Sequence, residues 1–139
     1  MRDIRFRAKR QDNGEWIKSG TLANFDTDSG SFCFIAQSQS KYWASLDDNG
    51  NITGMECTFF HVDPDTVGQF IGEQDANGDD IFEGDIVKHG EKMYVIRYND
   101  HRARFIGKNK RSNYAIFPFG NCTIMGNIYD NANLMEANK

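Results

Sequence analysis

Proline and cysteine are scarce in this chain, and long apolar runs are missing. Only Pro64 and Pro118 occur in 139 residues, a composition that is globular rather than disordered. The three cysteines, Cys33, Cys57 and Cys122, are odd in number and far apart. None forms a CxxC pair, which excludes the usual zinc and redox-dithiol spacings and predicts reduced, at least partly buried thiols. No stretch approaches the ~18 apolar residues of a membrane-spanning helix. The N-terminus, MRDIRFRAKRQDNG, is basic but lacks the apolar segment of a secretion signal. The chain therefore reads as cytoplasmic, with no membrane partner. At this length a core can form without a metal, a cofactor or a disulfide.

Catalytic signatures are equally sparse. There is no Walker loop, no GxGxxG and no GxSxG. His61, His89 and His101 share no ligand spacing. The segment Asp75-Ala76-Asn77-Gly78-Asp79 has the oxygen density of a calcium loop. Counted from Asp75, however, the sixth position is Asp80 rather than Gly and the twelfth is Ile86 rather than Glu. A hairpin turn is the simpler reading. Glu83 and Asp85 flank Gly84, and residues two apart in an extended segment point to one face, so the pair could share acid–base or metal work. The alternative is that one or both accept backbone N–H bonds in the turn that enters a strand at Ile86. Nothing nearby supplies a nucleophile or base at readable spacing, so no catalytic or metal-binding residue is assigned.

What the chain does have is aromatic residues and turns: eleven Phe, five Tyr and two Trp, with Asn-Gly at residues 13–14, 49–50 and 77–78. Asn-Gly suits the type I′ turn of a tight hairpin, which needs positive φ at both central residues. Ile4, Phe6 and Ala8 alternate with Arg5, Arg7 and Lys9, one face apolar, and Trp16-Ile17 follows the first turn. Residues 2–18 thus read as a hairpin. In SFCFIA, after the turn cluster DTDSG, Phe32, Phe34 and Ala36 share one face, with Cys33 and Ile35 on the other. Two apolar faces suggest a well-covered strand or a buried helical segment. Tyr42–Ala44 and Asn51–Met55 flank a third turn, and Cys57–Phe60 reads as a continuation of that sheet. Asp63 could cap a short helix that Pro64 begins, and VGQFIG fits strand or helix equally. Ile86-Val87, Met93–Tyr98 and Ala103–Ile106, joined by turns at His89–Glu91 and Asn99-Asp100, read as a β-meander. Asn113–Phe119 and Cys122–Ile128 read as further strands, and NANLMEA as a closing helical turn or two. The fold expected is mainly β, with short antiparallel hairpins in two small lobes. These are residues 1–66 and residues 67–139, packed as one unit. The C-terminal lobe resembles an SH3-like, barrel-like meander, and at most two helices occur, both short.

Charge is segregated. Residues 1–18 carry a net +3, residues 19–87 a net −12 and residues 88–139 a net +5. One reading is that acidic and basic parts pack near one another and offset each other's field, since water-facing strand faces are commonly charged. A basic face that attracts an anionic partner is the functional alternative. It would centre on Lys88, Lys92, Arg97, Arg102, Arg104, Lys108, Lys110 and Arg111, with Tyr94, Tyr98 and Phe105 interleaved and Tyr114 just beyond. Clustered cations suit phosphates and aromatic rings suit unpaired bases, though in β proteins aromatics are core material more often than stacking platforms. Arg102 and Arg104 would share a strand face.

Several segments together resemble the YopX-like family of phage and prophage proteins. Arg2, Ile4, Phe6, Arg7 and Ala8 match its opening pattern. Val62, Asp63, Pro64, Thr66, Val67, Gly68, Gln69, Gly72, Asp75, Asn77, Gly78, Ile81, Glu83, Gly84, Asp85, Ile86 and Val87 follow in order. Gly126, Asn127, Ile128, Tyr129, Asp130 and Asn131 match its closing pattern. Phe70 and Ile71 stand where the family often has Tyr-Thr, and Ala132 replaces a frequent Pro. Residues 19–60 and 88–120 carry no motif. The resemblance implies a phage- or prophage-encoded protein of the bacterial cytoplasm, β-rich and two-lobed. It brings no established activity, so no catalytic residue or cofactor is carried over. Gly72, Asn77, Gly78, Glu83, Gly84, Asp85, Gly126, Asn127 and Tyr129 are then structural residues. The expected function is that of an accessory, non-enzymatic interaction module whose partner is another protein or a second copy. Nucleic acid held by residues 88–111 is the alternative partner.

Overall fold

Alternation and turn chemistry account for most strands in the computed structural model, which describes residues 2–37, 44–55, 58–112 and 115–137. The chain divides into two units, residues 5–67 and residues 68–139 with 1–4.

In the first unit, β1 (Phe6–Lys9) pairs antiparallel with β2 (Trp16–Thr27) across the Asn13-Gly14 turn, with a bulge between Phe6 and Ala8. Arg7, expected on the solvated face, is buried, and its guanidinium lies 4.9 Å from the centre of the Trp16 ring. Lys9 covers the same ring at 5.4 Å, so an aromatic face takes the place of water around both cations. β2 runs nine residues past the expected hairpin end and pairs residue by residue with β3 (Gly30–Gln37), from Thr21↔Ala36 to Thr27↔Gly30. SFCFIA is therefore strand. β4 (Ala44–Leu46) and β5 (Ile52–Met55) form a separate hairpin; Tyr42, Trp43 and Cys57 lie outside the described residues. β6 (Thr58–His61) does not continue that hairpin. It pairs with β3 instead, Ile35↔Phe60 and Phe34↔His61, where Phe60 joins the core. The order in this unit is β6-β3-β2-β1. Ala8, Ile17, Cys33, Ile35 and Val62 are its core. Asp63 caps a short 3-10 turn, Pro64–Thr66, by accepting from the Asp65 N–H.

In the second unit, VGQFIG resolves as strand: β7 (Gly68–Gln74) forms a hairpin with β8 (Asp80–Phe82). β9 (Asp85–His89), β10 (Lys92–Asn99) and β11 (Arg104–Lys108) make the expected meander. β12 (Thr123–Asn127) adds antiparallel to β9, giving the order β11-β10-β9-β12. This sheet is open among the described residues, not a closed barrel. The outer edge of β11 is occupied at Gly107, which exchanges both backbone bonds with Ala115 (2.9 and 2.8 Å). Ala115 contributes only that bridge, and Phe119–Asn121 is a 3-10 turn rather than strand. Pro118 cannot donate to a ladder, and Phe117 reaches the core by its ring alone, with Ile81, Val87, Tyr94, Ile96 and Cys122. The helix α1 (Asn133–Ala137) closes the described chain.

The Asn-Gly turns differ from type I′. Gly14, Gly50 and Gly78 have positive φ, whereas Ser19 and Ala103 are the only non-glycine residues that do among those described. Asn therefore stays in ordinary backbone, and the turn is the type I form followed by a left-handed Gly. At residues 47–50 and 75–78 the Gly N–H donates to the backbone oxygen of the Asp three residues earlier, and that Asp carboxylate accepts the Asn N–H.

Candidate functional site

Within the second unit the family-like residues build a joint between backbone segments. Asp85 is buried at the start of β9, and its Oδ2 accepts the Phe82 N–H at 2.8 Å. Glu83 Oε1 accepts the Gln69 N–H at 3.1 Å. The two carboxylates thus serve different backbone donors. Between them Gly84 has φ +87° and donates to Ile96 O, while its own oxygen accepts the Ile128 N–H at 3.0 Å. A Cβ at Gly84 would stand 3.2 Å from Cε2 of Tyr129, so glycine meets both the backbone and the packing requirement here.

The closing segment is locked in the same way. Asn127 opposes Asp85 in the β9–β12 register. Asn127 Oδ1 accepts the Tyr129 and Asp130 N–H groups at 3.0 and 2.9 Å, and its amide donates to Asp130 Oδ2. Asn131 Oδ1 accepts the Asn127 N–H at 3.2 Å and would lie 2.5 Å from a Cβ at Gly126. Asp75 is a third anchor. Its Oδ1 accepts from Asn77 and Asp79, and its Oδ2 from Ile124 on β12. Burial pushes the Asp75 carboxyl up, but the donors Ile124, Asp79 and Asn77 outweigh it and hold it below the usual carboxylate range. Both oxygens of Asp75 are thereby engaged within the hairpin turn expected there and on β12. Gly72 gives β7 a positive φ between Phe70 and Gln74, the two positions paired with β8. Among the described residues no group of three or more His, Cys, Asp or Glu could hold a metal ion.

The two described thiols, Cys33 and Cys122, are insulated. Burial, reinforced by the charge of Asp75, pushes Cys122 up to about 11, and its Sγ donates to Phe119 O. Burial also raises Cys33. Neither is poised as a nucleophile, since the thiolate is the reactive form.

Register decides where the basic segment places its charges. Tyr94 and Ile96 face the core with Val87, so Met93, Val95, Arg97 and Asn99 occupy the other face. Their partners Lys88, Lys108, Ile106 and Arg104 lie on that face too. Lys88, Arg97, Arg104 and Lys108 therefore share it, Arg97 sitting opposite Ile106 and diagonal to Arg104 and Lys108. All four are exposed, and none is in an ion pair among the described residues. Lys92, Lys110 and Arg111 instead line a groove of about 480 Å³ with Glu91, Asn109, Met135 and Glu136. Arg102 stands in the turn before β11, its N–H donating to Asn99 Oδ1, and not on a strand beside Arg104. The eight basic residues thus fall into three groups. The interleaved aromatics turn the other way: Tyr94 packs on Phe117 and Tyr98 edge-on to Phe105, at 5.0 and 5.2 Å. Tyr114 lies outside the described residues.

A second surface was not singled out from sequence. On β2, β3 and β6 the side opposite the core carries Thr21, Ala23, Phe25, Thr27, Phe32, Phe34, Ala36, Phe59 and His61. Phe25, Phe32 and Phe59 are 48%, 37% and 49% exposed, far above what large apolar side chains show in a core. They touch each other and their neighbours: Phe25–Phe34 at 5.7 Å, Phe25–Phe59 at 6.4 Å and Phe34–His61 at 5.3 Å between ring centres. The signal available beforehand was the double apolar face of SFCFIA, which implied cover on both sides.

Comparison with curated proteins gives no match. Among solved structures, the crystal structure of protein EF1440 from Enterococcus faecalis is similar at a TM-score of 0.56 and 22% identity, over 95% of this chain and 97% of that one; this likeness is one of fold. No helix among the described residues is long and apolar enough to cross a membrane. The family model described as YopX protein matches residues 5–136, and the chain belongs to that family.

Proposed function

We propose that this YopX-family chain is a non-enzymatic interaction module, phage- or prophage-encoded and acting as an accessory protein in the bacterial cytoplasm. The observation that carries the reading is the exposed ring cluster Phe25, Phe32 and Phe59 on one sheet face, in a chain whose motif carboxylates are engaged by backbone N–H groups. Contiguous exposed apolar surface marks a place where another molecule docks. Thermal unfolding of Phe25→Ser/Phe59→Ser in dilute solution tests this. A docking face tolerates the change, with a melting temperature within ~2 °C of the parent. A fall of ~8 °C or more would identify the face as part of the folding core and end the reading.

A second reading, an anionic partner such as nucleic acid, is favoured by the unpaired cations Lys88, Arg97, Arg104 and Lys108 sharing one face. Fluorescence anisotropy with labelled single-stranded DNA should then show affinity that falls with salt and weakens in Arg97→Ala/Arg104→Ala. Absence of binding at low salt removes it.

A further inference from the structure

We propose that the aromatic face of β2, β3 and β6 docks on the same face of a second copy of this chain, forming a weak two-fold dimer. The inference rests on the interaction-module reading and names its partner. Three observations select that occupant. The nine positions Thr21, Ala23, Phe25, Thr27, Phe32, Phe34, Ala36, Phe59 and His61 include no Lys, Arg, Asp or Glu, although 26% of the chain is charged. A phosphate backbone needs cations and a charged peptide needs opposite charge; this face offers neither. A neutral apolar face can meet its own copy without repulsion, which an isologous contact requires because each patch faces itself.

Acidic residues flank the face at the tip of the β2–β3 hairpin, where Asp26 is held by the Ser31 hydroxyl and Asp28 stands in the turn. A two-fold axis across the strands puts the two acidic tips at opposite ends, whereas an axis along the strands would bring them together. Like-charge repulsion therefore selects the arrangement with facing strands antiparallel, two sheets packed face to face as in a sandwich.

Area sets the strength. At about 200 Å² per phenylalanine, the exposed parts of Phe25, Phe32 and Phe59 amount to roughly 270 Å² in each copy. Two copies bring roughly 540 Å² of ring surface, with Thr21, Ala23, Thr27, Phe34, Ala36 and His61 adding the remainder. Stable interfaces start near ~1,200 Å² in total. The dimer therefore falls in the weak class, dissociating at on the order of tens to hundreds of micromolar.

Sedimentation equilibrium on the full chain across that range is the test. The weight-average mass should rise toward twice the 15.9 kDa chain as concentration rises. Phe25→Ser/Phe59→Ser should stay at the monomer mass with an unchanged circular dichroism spectrum. Ala23→Cys, placed mid-face, should give an oxidised covalent dimer that Thr53→Cys on the β4–β5 hairpin does not. A parent that stays monomeric throughout overturns the second copy as occupant. The module reading then survives if the double variant keeps its melting temperature in dilute solution, and falls with it if that temperature drops. A double variant that still dimerises also overturns the proposal, and points to another surface such as the edge of β6.

Discussion

The joint around Gly84 and the aromatic face of β2, β3 and β6 are both made from short antiparallel strands, but they use their side chains in opposite ways. At the joint four family-like side chains hold backbone donors: Asp75 holds three N–H groups, Asp85 and Glu83 one each, and Asn127 two. On the aromatic face Phe25, Phe32 and Phe59 are exposed instead. The part that carries the family-like residues is therefore occupied with architecture, while the part without a motif carries the exposed rings on which the docking proposal rests. Motif density in this chain marks where backbone groups need partners.

That comparison breaks first at Asp75. Replacing it by Ala leaves the Asn77, Asp79 and Ile124 donors without their acceptor, and should cost about 3 kcal/mol in urea unfolding. A loss below ~0.5 kcal/mol would put Asp75 among ordinary surface residues. Gly84→Ala comes next. It forces a left-handed alanine and presses Cβ toward the Tyr129 ring, for roughly 2 kcal/mol in the same experiment.

A gentler probe is acid. Because the folded Asp75 carboxyl lies below its ordinary value, the stability it contributes is complete above the unfolded carboxylate range, near ~4. That contribution is lost as pH falls through the folded value. The melting temperature of Asp75→Asn should consequently fall less than the parent's between pH 5 and pH 3, as differential scanning calorimetry would record. An identical slope would mean that Asp75 titrates alike in both states.

Much of this fold was legible because local chemistry announces it. Asp-x-Asn-Gly at residues 47–50 and 75–78 supplies an acceptor, a donor and a left-handed residue in order, and the structure uses all three. The meander edges at His89 and Asn99 fell where turn residues interrupt alternation. Strand partners were another matter. Nothing in Thr58–His61 says that β6 pairs with β3 and not with the nearer β5; period-two patterning fixes faces but not neighbours. Arg7 looked like a solvated charge because alternation is blind to the Trp16 ring that covers it. In the basic segment, composition counted eight cations, but only strand register separates the four that share a face from those in turns and at the groove. The aromatic face was hidden for the converse reason. Two apolar faces on β3 imply two covers, and only one lies within the described chain.

Amide hydrogen exchange on Gly84→Ala tests the central claim most directly. If Gly84 and the closing segment form one joint, protection should fall at Asn127, Ile128, Tyr129 and Asp130, more than forty residues away, because Ile128 bonds to Gly84 O and the Tyr129 ring abuts Gly84. Loss of protection confined to residues 82–86, with the closing segment unchanged, would contradict it.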